Sequence, residues 1–262
     1  MSAAETRLSE LLQLMRRLRD PQHGCPWDRE QDFATIAPHT IEEAYELDDA
    51  IAGGMPARIR DELGDLLFQV VFHAQMASER GWFDFADVAA GVHEKLVRRH
   101  PHVFGDSRSE SQADLSRAWD ESKAAERAAA GASGALAGVA VALPALSRAT
   151  KLARRAGAVG FDWFDERAVR PKIAEELRET EQAITGGDAA SIEEELGDAL
   201  FAFANWARLL HVDPEKALRG ANRKFERRFA AMEALMAERG WSAAELTADQ
   251  WEELWASVKS AE

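Results

Sequence analysis

Apolar residues in this chain recur every three to four positions, the spacing of one helix face, and no run alternates as a strand would. Leu8, Leu11, Leu12, Met15 and Leu18 keep that rhythm and stop at Asp20-Pro21. A second helix is expected to open near Thr40 and end at Gly53-Gly54, since glycine accepts the left-handed conformation of a helix stop. A third, over 58–80, should bury Ile59, Leu63, Leu66, Leu67, Val70 and Val71. A fourth covers 85–99 and halts before Pro101, and another surrounds Trp119. The second half predicts helices over 145–156, 167–185 and 189–211, one from Asp213-Pro214 to Arg239-Gly240, and a last one carrying Trp251 and Trp255. Four or five helices per half with short connections read as an all-α fold of helical bundles.

The two halves share more than a plan. Glu42, Glu43, Glu46, Gly53, Gly54, Glu62 and Asp65 reappear as Glu175, Glu176, Glu179, Gly186, Gly187, Glu195 and Asp198. Every pair is 133 positions apart (175 less 42, and 198 less 65). A fixed offset of this kind marks a duplicated unit. The alanine- and glycine-rich stretch 126–143 is the expected linker between a domain at 1–125 and a domain at 144–262.

Residues three and four apart lie on one helix face, so Glu43 and Glu46 project together, as do Glu62 and Asp65 from the next helix. Glu176 and Glu179 should likewise face Glu195 and Asp198. A Gly-Gly turn makes the two helices antiparallel neighbours, which brings four carboxylates to a seam in each half. An isolated acidic run is usually a solvated face. Here, however, Glu62 and Asp65 interrupt the series Ile59, Leu63, Leu66, Leu67, Phe68, and Glu195 and Asp198 sit among Leu196, Ala199, Leu200 and Phe201. Like charges converging beside a packed face repel unless cations neutralise them. A capping box from Thr40 to Glu43 fits the first copy, but Ile173 stands at the matching position of the second and cannot cap. All-oxygen ligation suits hard cations such as Mg²⁺. A di-iron bundle would add Glu-x-x-His motifs, and none of the seven histidines has a glutamate three residues before it.

Composition narrows the field. Among 262 residues, 46% are hydrophobic and 30% charged, as in ordinary globular chains. Cys25 is the single cysteine and cannot close an internal disulfide. The amphipathic start lacks the apolar core of a signal peptide and no stretch is long enough to span a bilayer, so cytoplasm is the expectation. A net charge of −14 argues against a nucleic-acid backbone as partner, and obliges any phosphate-bearing substrate to be met by cations or focused basic side chains.

Basic and aromatic companions repeat less rigidly. Lys95, Arg98 and Arg99 match Lys224, Arg227 and Arg228, and Trp119 with Lys123 matches Trp255 with Lys259. Such side chains serve as a polyphosphate clamp or as helix C-terminal charges complementing the macrodipole. The tryptophans serve for base stacking or as packing anchors. The loops Cys25-Pro26-Trp27-Asp28 and Phe161-Asp162-Trp163 either line a pocket or close the core.

These residues together resemble the MazG family of nucleoside triphosphate pyrophosphohydrolases. The resemblance is carried by GCPWDREQ (24–31), HTIEEAYELDDAI (39–51), DELGDLLFQVVFHAQ (61–75) and RRHPHVFGD (98–106), then by VGFDW (159–163), EELRE (175–179), EEELGDALFA (193–202) and NRKFERRF (222–229). It implies tandem MazG-like four-helix-bundle domains, Mg²⁺ dependence, hydrolysis of NTP to NMP and diphosphate in nucleotide-pool housecleaning or regulation, and a homodimer. It implies Glu176, Glu179, Glu195 and Asp198 as Mg²⁺ ligands. It also implies nucleotide contacts from Lys172, Glu175, Glu176, Ser191, Glu194, Lys224, Arg227, Arg228 and Trp255. Glu175, if metal does not saturate it, is the candidate base. In the N-terminal copy Glu42, Glu43, Glu46, Glu62, Asp65, Lys95, Arg98, Arg99, Trp119 and Lys123 are all kept, enough for a second site. The alternative is a non-catalytic helical module that binds nucleotide or protein.

Overall fold

A computed structural model describes residues 2–105, 111, 114, 115, 118, 119, 122, 123, 125, 126, 131, 134–163 and 165–261. Among them there are helices and turns but no strand. The chain forms two compact units, Met1–Lys123 and Ala124–Glu262. Part of the expected linker, 127–130 with 132 and 133, and part of the helix expected around Trp119 lie outside the described residues.

The first unit contains α1 (Ala3–Leu18), the short α2 (Pro26–Glu30), α3 (Phe33–Gly53), α4 (Pro56–Glu79), α5 (Phe85–Arg99) and the one-turn α6 (Pro101–Phe104). Its α3 begins seven residues ahead of the expected start at Thr40. Asp32 is the reason: its carboxylate accepts from the Ala34 and Thr35 amides while the Thr35 hydroxyl accepts from the Asp32 amide, a reciprocal cap. Pro38 is therefore inside the helix, and Thr40 lies mid-helix, its hydroxyl 3.0 Å from the His73 ring. That geometry removes the capping-box reading of Glu43. At the other end Gly54 takes φ 66°, a left-handed conformation that turns the chain into α4.

The core of this unit is Met15, Ile36, Val71, Phe72 and Met76, flanked by Leu11, Leu12, Phe33, Phe68 and Phe85. Of the six α4 residues expected inside, Val71 is buried, Ile59 and Leu66 are half-buried, and Leu63, Leu67 and Val70 are exposed. The physical reason is that α4 carries apolar residues on more than one face, while α1, α3 and α5 together cover only part of it. Arg19 fastens α1 to α4 through hydrogen bonds to both Glu79 oxygens, and a further one holds the Asp28 carbonyl.

The second unit contains α7 (Ala145–Gly157), α8 (Arg170–Gly186), α9 (Ala189–Leu209), α10 (Pro214–Arg239) and α11 (Ala248–Ser260). Gly187, at φ 74°, reproduces the Gly54 turn between α8 and α9. The Asp188 carboxylate then accepts from the Ser191 amide and hydroxyl, starting α9. Val169, Ile173 and Ala202 pack with Trp163, Trp206 and Leu209, and Met232, Met236, Leu254 and Val258 make a separate core between α10 and α11. Residues within the expected linker contact this unit: Val139 is buried, and Arg155 donates to the Ala137 carbonyl.

Candidate active site

In the second unit α8 and α9 bring Glu176, Glu179 and Glu195 together, with one carboxylate oxygen of each within 4.8 Å of the others. Ile173 and Thr180, both buried, flank Glu176 on α8 and press its face against α9. Glu176 is itself only 4% exposed, unusual for an acid. Desolvation raises the Glu195 pKa above its ordinary value, and the neighbouring charges of Glu179, Glu176, Asp198 and Glu194 push it the same way. Asp198 thus lies close enough to act on the trio electrostatically, yet it is exposed and outside it.

The first unit repeats the arrangement on α3 and α4 with Glu43, Glu62 and Asp65, again within 4.8 Å. Glu46 is exposed and outside the trio. Desolvation raises the Glu43 pKa, followed by Asp65, Glu46, Glu62 and Glu42. Glu62 is raised by desolvation and by Glu46, against the pull of Arg58.

The two copies differ in their nearest cations. Lys172 Nζ lies 2.8 Å from Glu176 and 3.2 Å from Glu175. The matching position in the first unit is His39, whose ring faces Glu42 at 3.4 Å. Arg58, in turn, reaches Glu62 at 3.8 Å and Asp49 at 3.7 Å from the position that Ser191 occupies in the second unit. Sequence reasoning named Lys172 and passed over both His39 and Arg58. The Lys172–Glu176 pair has the i,i+4 spacing of a helix ion pair and was legible on that ground.

Lys224, Arg227 and Arg228 stand on α10, and the Arg228 guanidinium lies 5.4 Å from the Trp255 ring on α11, with Phe225 at 5.9 Å. In the first unit Arg99 and Lys123 each lie 5.0 Å from Trp119, and His100 lies 5.2 Å from it. Lys95 is exposed on α5, and Arg98 follows on the same helix. The two tryptophan loops diverge: Trp163 packs into a core, whereas Trp27 is exposed and meets His39 edge-on. Asp162 is tied to Arg208 at 2.5 Å, and Arg208 also donates to Asn205.

Oxygen donors from two helices, crowded enough to raise a carboxyl pKa, fit a divalent cation, because a cation relieves the repulsion that raises it. With the lysine beside them, on an all-α fold, they fit a class: hydrolases that act on phosphate anhydrides through an acid-lined site. The family model for the MazG nucleotide pyrophosphohydrolase domain matches residues 31–104 and 164–231. The chain is 49% identical over 259 residues to the nucleoside triphosphate pyrophosphohydrolase of Escherichia coli (strain K12), covering 97% of this chain and 98% of that protein. It is 44% identical over 259 residues to the nucleoside triphosphate pyrophosphohydrolase/pyrophosphatase MazG of Thermotoga maritima, covering 99% and 98%. The nucleoside triphosphate pyrophosphohydrolase of Mycobacterium tuberculosis is 36% identical over 157 residues, 59% of this chain and 46% of that protein. The chain belongs to the MazG nucleotide pyrophosphohydrolase family. No helix among its described residues is long and apolar enough to cross a membrane.

Proposed function

We propose that this chain is a Mg²⁺-dependent nucleoside triphosphate pyrophosphohydrolase: one water molecule and one NTP give NMP and diphosphate by cleavage between the α- and β-phosphates. The observation that carries this reading is the trio Glu176, Glu179 and Glu195, with oxygens within 4.8 Å of one another. Those residues, with Asp198, would hold Mg²⁺. When bound, the ion supplies Lewis-acid charge neutralisation toward phosphate oxygens and water. Lys172, Ser191, Glu194, Lys224, Arg227 and Arg228 contact the nucleotide, the basic side chains and the Ser191 hydroxyl taking its triphosphate. Of these, Lys224 and Arg228 offset charge developing on the transferred and leaving phosphates. Trp255 offers its ring to the base, and Glu175 accepts the water proton.

Turnover is assigned to the second unit, where Glu176 is buried and a lysine lies beside it. The first unit, with Glu42, Glu43, Glu46, Glu62 and Asp65 beside Lys95, Arg98, Arg99, Trp119 and Lys123, is a second site of the same type. A homodimer is supported by the apolar flank of the first unit, where Ile41, Tyr45, Leu63, Leu67 and Val70 are exposed. Sedimentation at micromolar concentration tests it, and a monomer would refute it. The domains are taken as 1–125 and 144–262, and a cytoplasmic housecleaning role fits the chemistry.

The activity test is a purified chain with each NTP and Mg²⁺, read by separate assays for diphosphate and orthophosphate. NMP and diphosphate in equal amounts are expected. Orthophosphate alone, or full turnover in the presence of a chelator, would refute the reading.

A further inference from the structure

In the second unit an ammonium group is bonded to a carboxylate of the acidic trio, and the two partners differ in exposure. The Glu176 side chain is 6% exposed and lies on the buried face of α8 with Ile173 and Thr180. The Lys172 side chain is 39% exposed and tethered by four flexible carbons. We propose that Lys172 and a divalent cation compete for the Glu176 carboxylate, so that binding of the cation releases Lys172 to bind substrate phosphate. The idea rests on the metal site described above and deepens it: metal and nucleotide binding become positively coupled through one lysine. Hydrogen bonds to Glu176 and then Glu175 raise the Lys172 pKa, so the group is a cation while it holds them.

The first unit lacks this lysine. In the first unit His39 stands where Lys172 does, and its ring faces Glu42 at 3.4 Å. There the cation near the trio is Arg58, which comes from α4 and reaches Glu62 at 3.8 Å. The short lysine–carboxylate bond at this position is therefore particular to the second unit among the described residues. Coupling through Lys172 is also reciprocal: whatever factor metal adds to nucleotide affinity, nucleotide adds to metal affinity.

The test is calorimetric titration of Mn²⁺ into the full chain and into Lys172→Met and Lys172→Arg, first alone and then with a non-hydrolysable NTP analogue. Lys172→Met is expected to bind Mn²⁺ about threefold to tenfold more tightly at the second-unit site, within reach of a partly exposed ion pair. In that variant Mn²⁺ should raise analogue affinity by a smaller factor than in wild type, leaving only the part the ion supplies by meeting phosphate oxygens itself. Lys172→Arg is expected to bind Mn²⁺ more weakly than wild type, because a guanidinium grips a carboxylate with two hydrogen bonds. Lys172→Arg keeps the charge, so a metal affinity equal to wild type would reduce the effect to long-range repulsion and overturn the proposal. An unchanged or weaker metal affinity in Lys172→Met would overturn it too, as would analogue binding that keeps its full metal dependence. Thermal melts establish folding, and Lys172→Arg alone decides if Lys172→Met does not fold. Diphosphate release by wild type is measured separately, so loss of the coupling leaves the hydrolase reading standing.

Discussion

Glu176 on α8 and Glu195 on α9 bring carboxylate oxygens within 4.8 Å of each other, held there by the helix turn at Gly187. Two like charges at that separation repel strongly wherever water is partly excluded. That repulsion is offset in part by the Lys172 ammonium bonded to Glu176, and a cation between the acids would relieve it further. Its consequences differ for activity and for stability.

Replacing one carboxylate of the trio should cut turnover sharply without unfolding the chain. Glu176→Gln is expected to lower kcat/KM for diphosphate release by about a hundredfold or more, the scale seen when transition-state charge loses its stabilisation. Glu43→Gln, tested alone, is expected to have a much smaller effect. Equal losses would move catalysis to both units, and a larger loss in Glu43→Gln would move it to the first.

Glu195 should show the opposite sign in stability. Its raised pKa means that folding favours its protonated form, so in chelator its charge destabilises the fold at neutral pH. That penalty fades as pH falls through the folded pKa and is gone below the unfolded value near 4.5. Glu195→Gln should thus melt higher than wild type at pH 7 in chelator, and the gap should close toward pH 4. The same variant should be inactive. A lower melting temperature at pH 7 would contradict the crowding argument.

Glu79 gives the contrasting pH profile. Desolvation works against its charge, but the Arg19 and Gln75 hydrogen bonds prevail and the folded pKa is lowered. A lowered carboxyl pKa contributes stability above the unfolded value near 4.5, lost as pH falls through the folded value. Glu79→Gln should be less stable than wild type in urea melts at pH 7, by about 1 to 2 kcal/mol for a half-exposed charged hydrogen bond. The difference should vanish in acid below the folded pKa. A constant difference across that range would argue for a steric cause.

Arg208 joins the Asp162 loop to Asn205 on its own helix, with its side chain 15% exposed. Arg208→Ala leaves Asp162 without its cation and Asn205 without its donor, a loss of about 2 to 4 kcal/mol. Asp162→Asn should lose less, because the guanidinium keeps Asn205 and gains an amide oxygen. Denaturant melts followed by circular dichroism would register both, since the Asp162 loop leads into Trp163, which packs against Ile173. Equal effects would mean that the charge on Asp162 carries the whole interaction.

Much of the helical pattern was legible because its causes are local. The stop at Gly54 and the start at Asp213 are written in one or two residues each. The start of α3 was missed because the apolar rhythm was followed from Thr40, while the signal lay upstream in the Asp32–Thr35 cap and was hidden by Pro38. The exposure of Leu63, Leu67 and Val70 was not legible, since an apolar position says nothing about which neighbouring helix is present to cover it.

Sequence alone determined the helices, the glycine turns and the paired acidic faces, because 3.6-residue geometry and left-handed stops depend on neighbours a few positions away. The acids' register in the two units followed from the 133-residue repeat. Tertiary packing decided what each acid became: Glu176 buried beneath Ile173 and Thr180 and bonded to Lys172, Asp198 left in solvent, Trp163 packed and Trp27 exposed. Burial depends on how helices distant in sequence cover one another, and in this site burial is what turns an acidic surface into a strained set of charges.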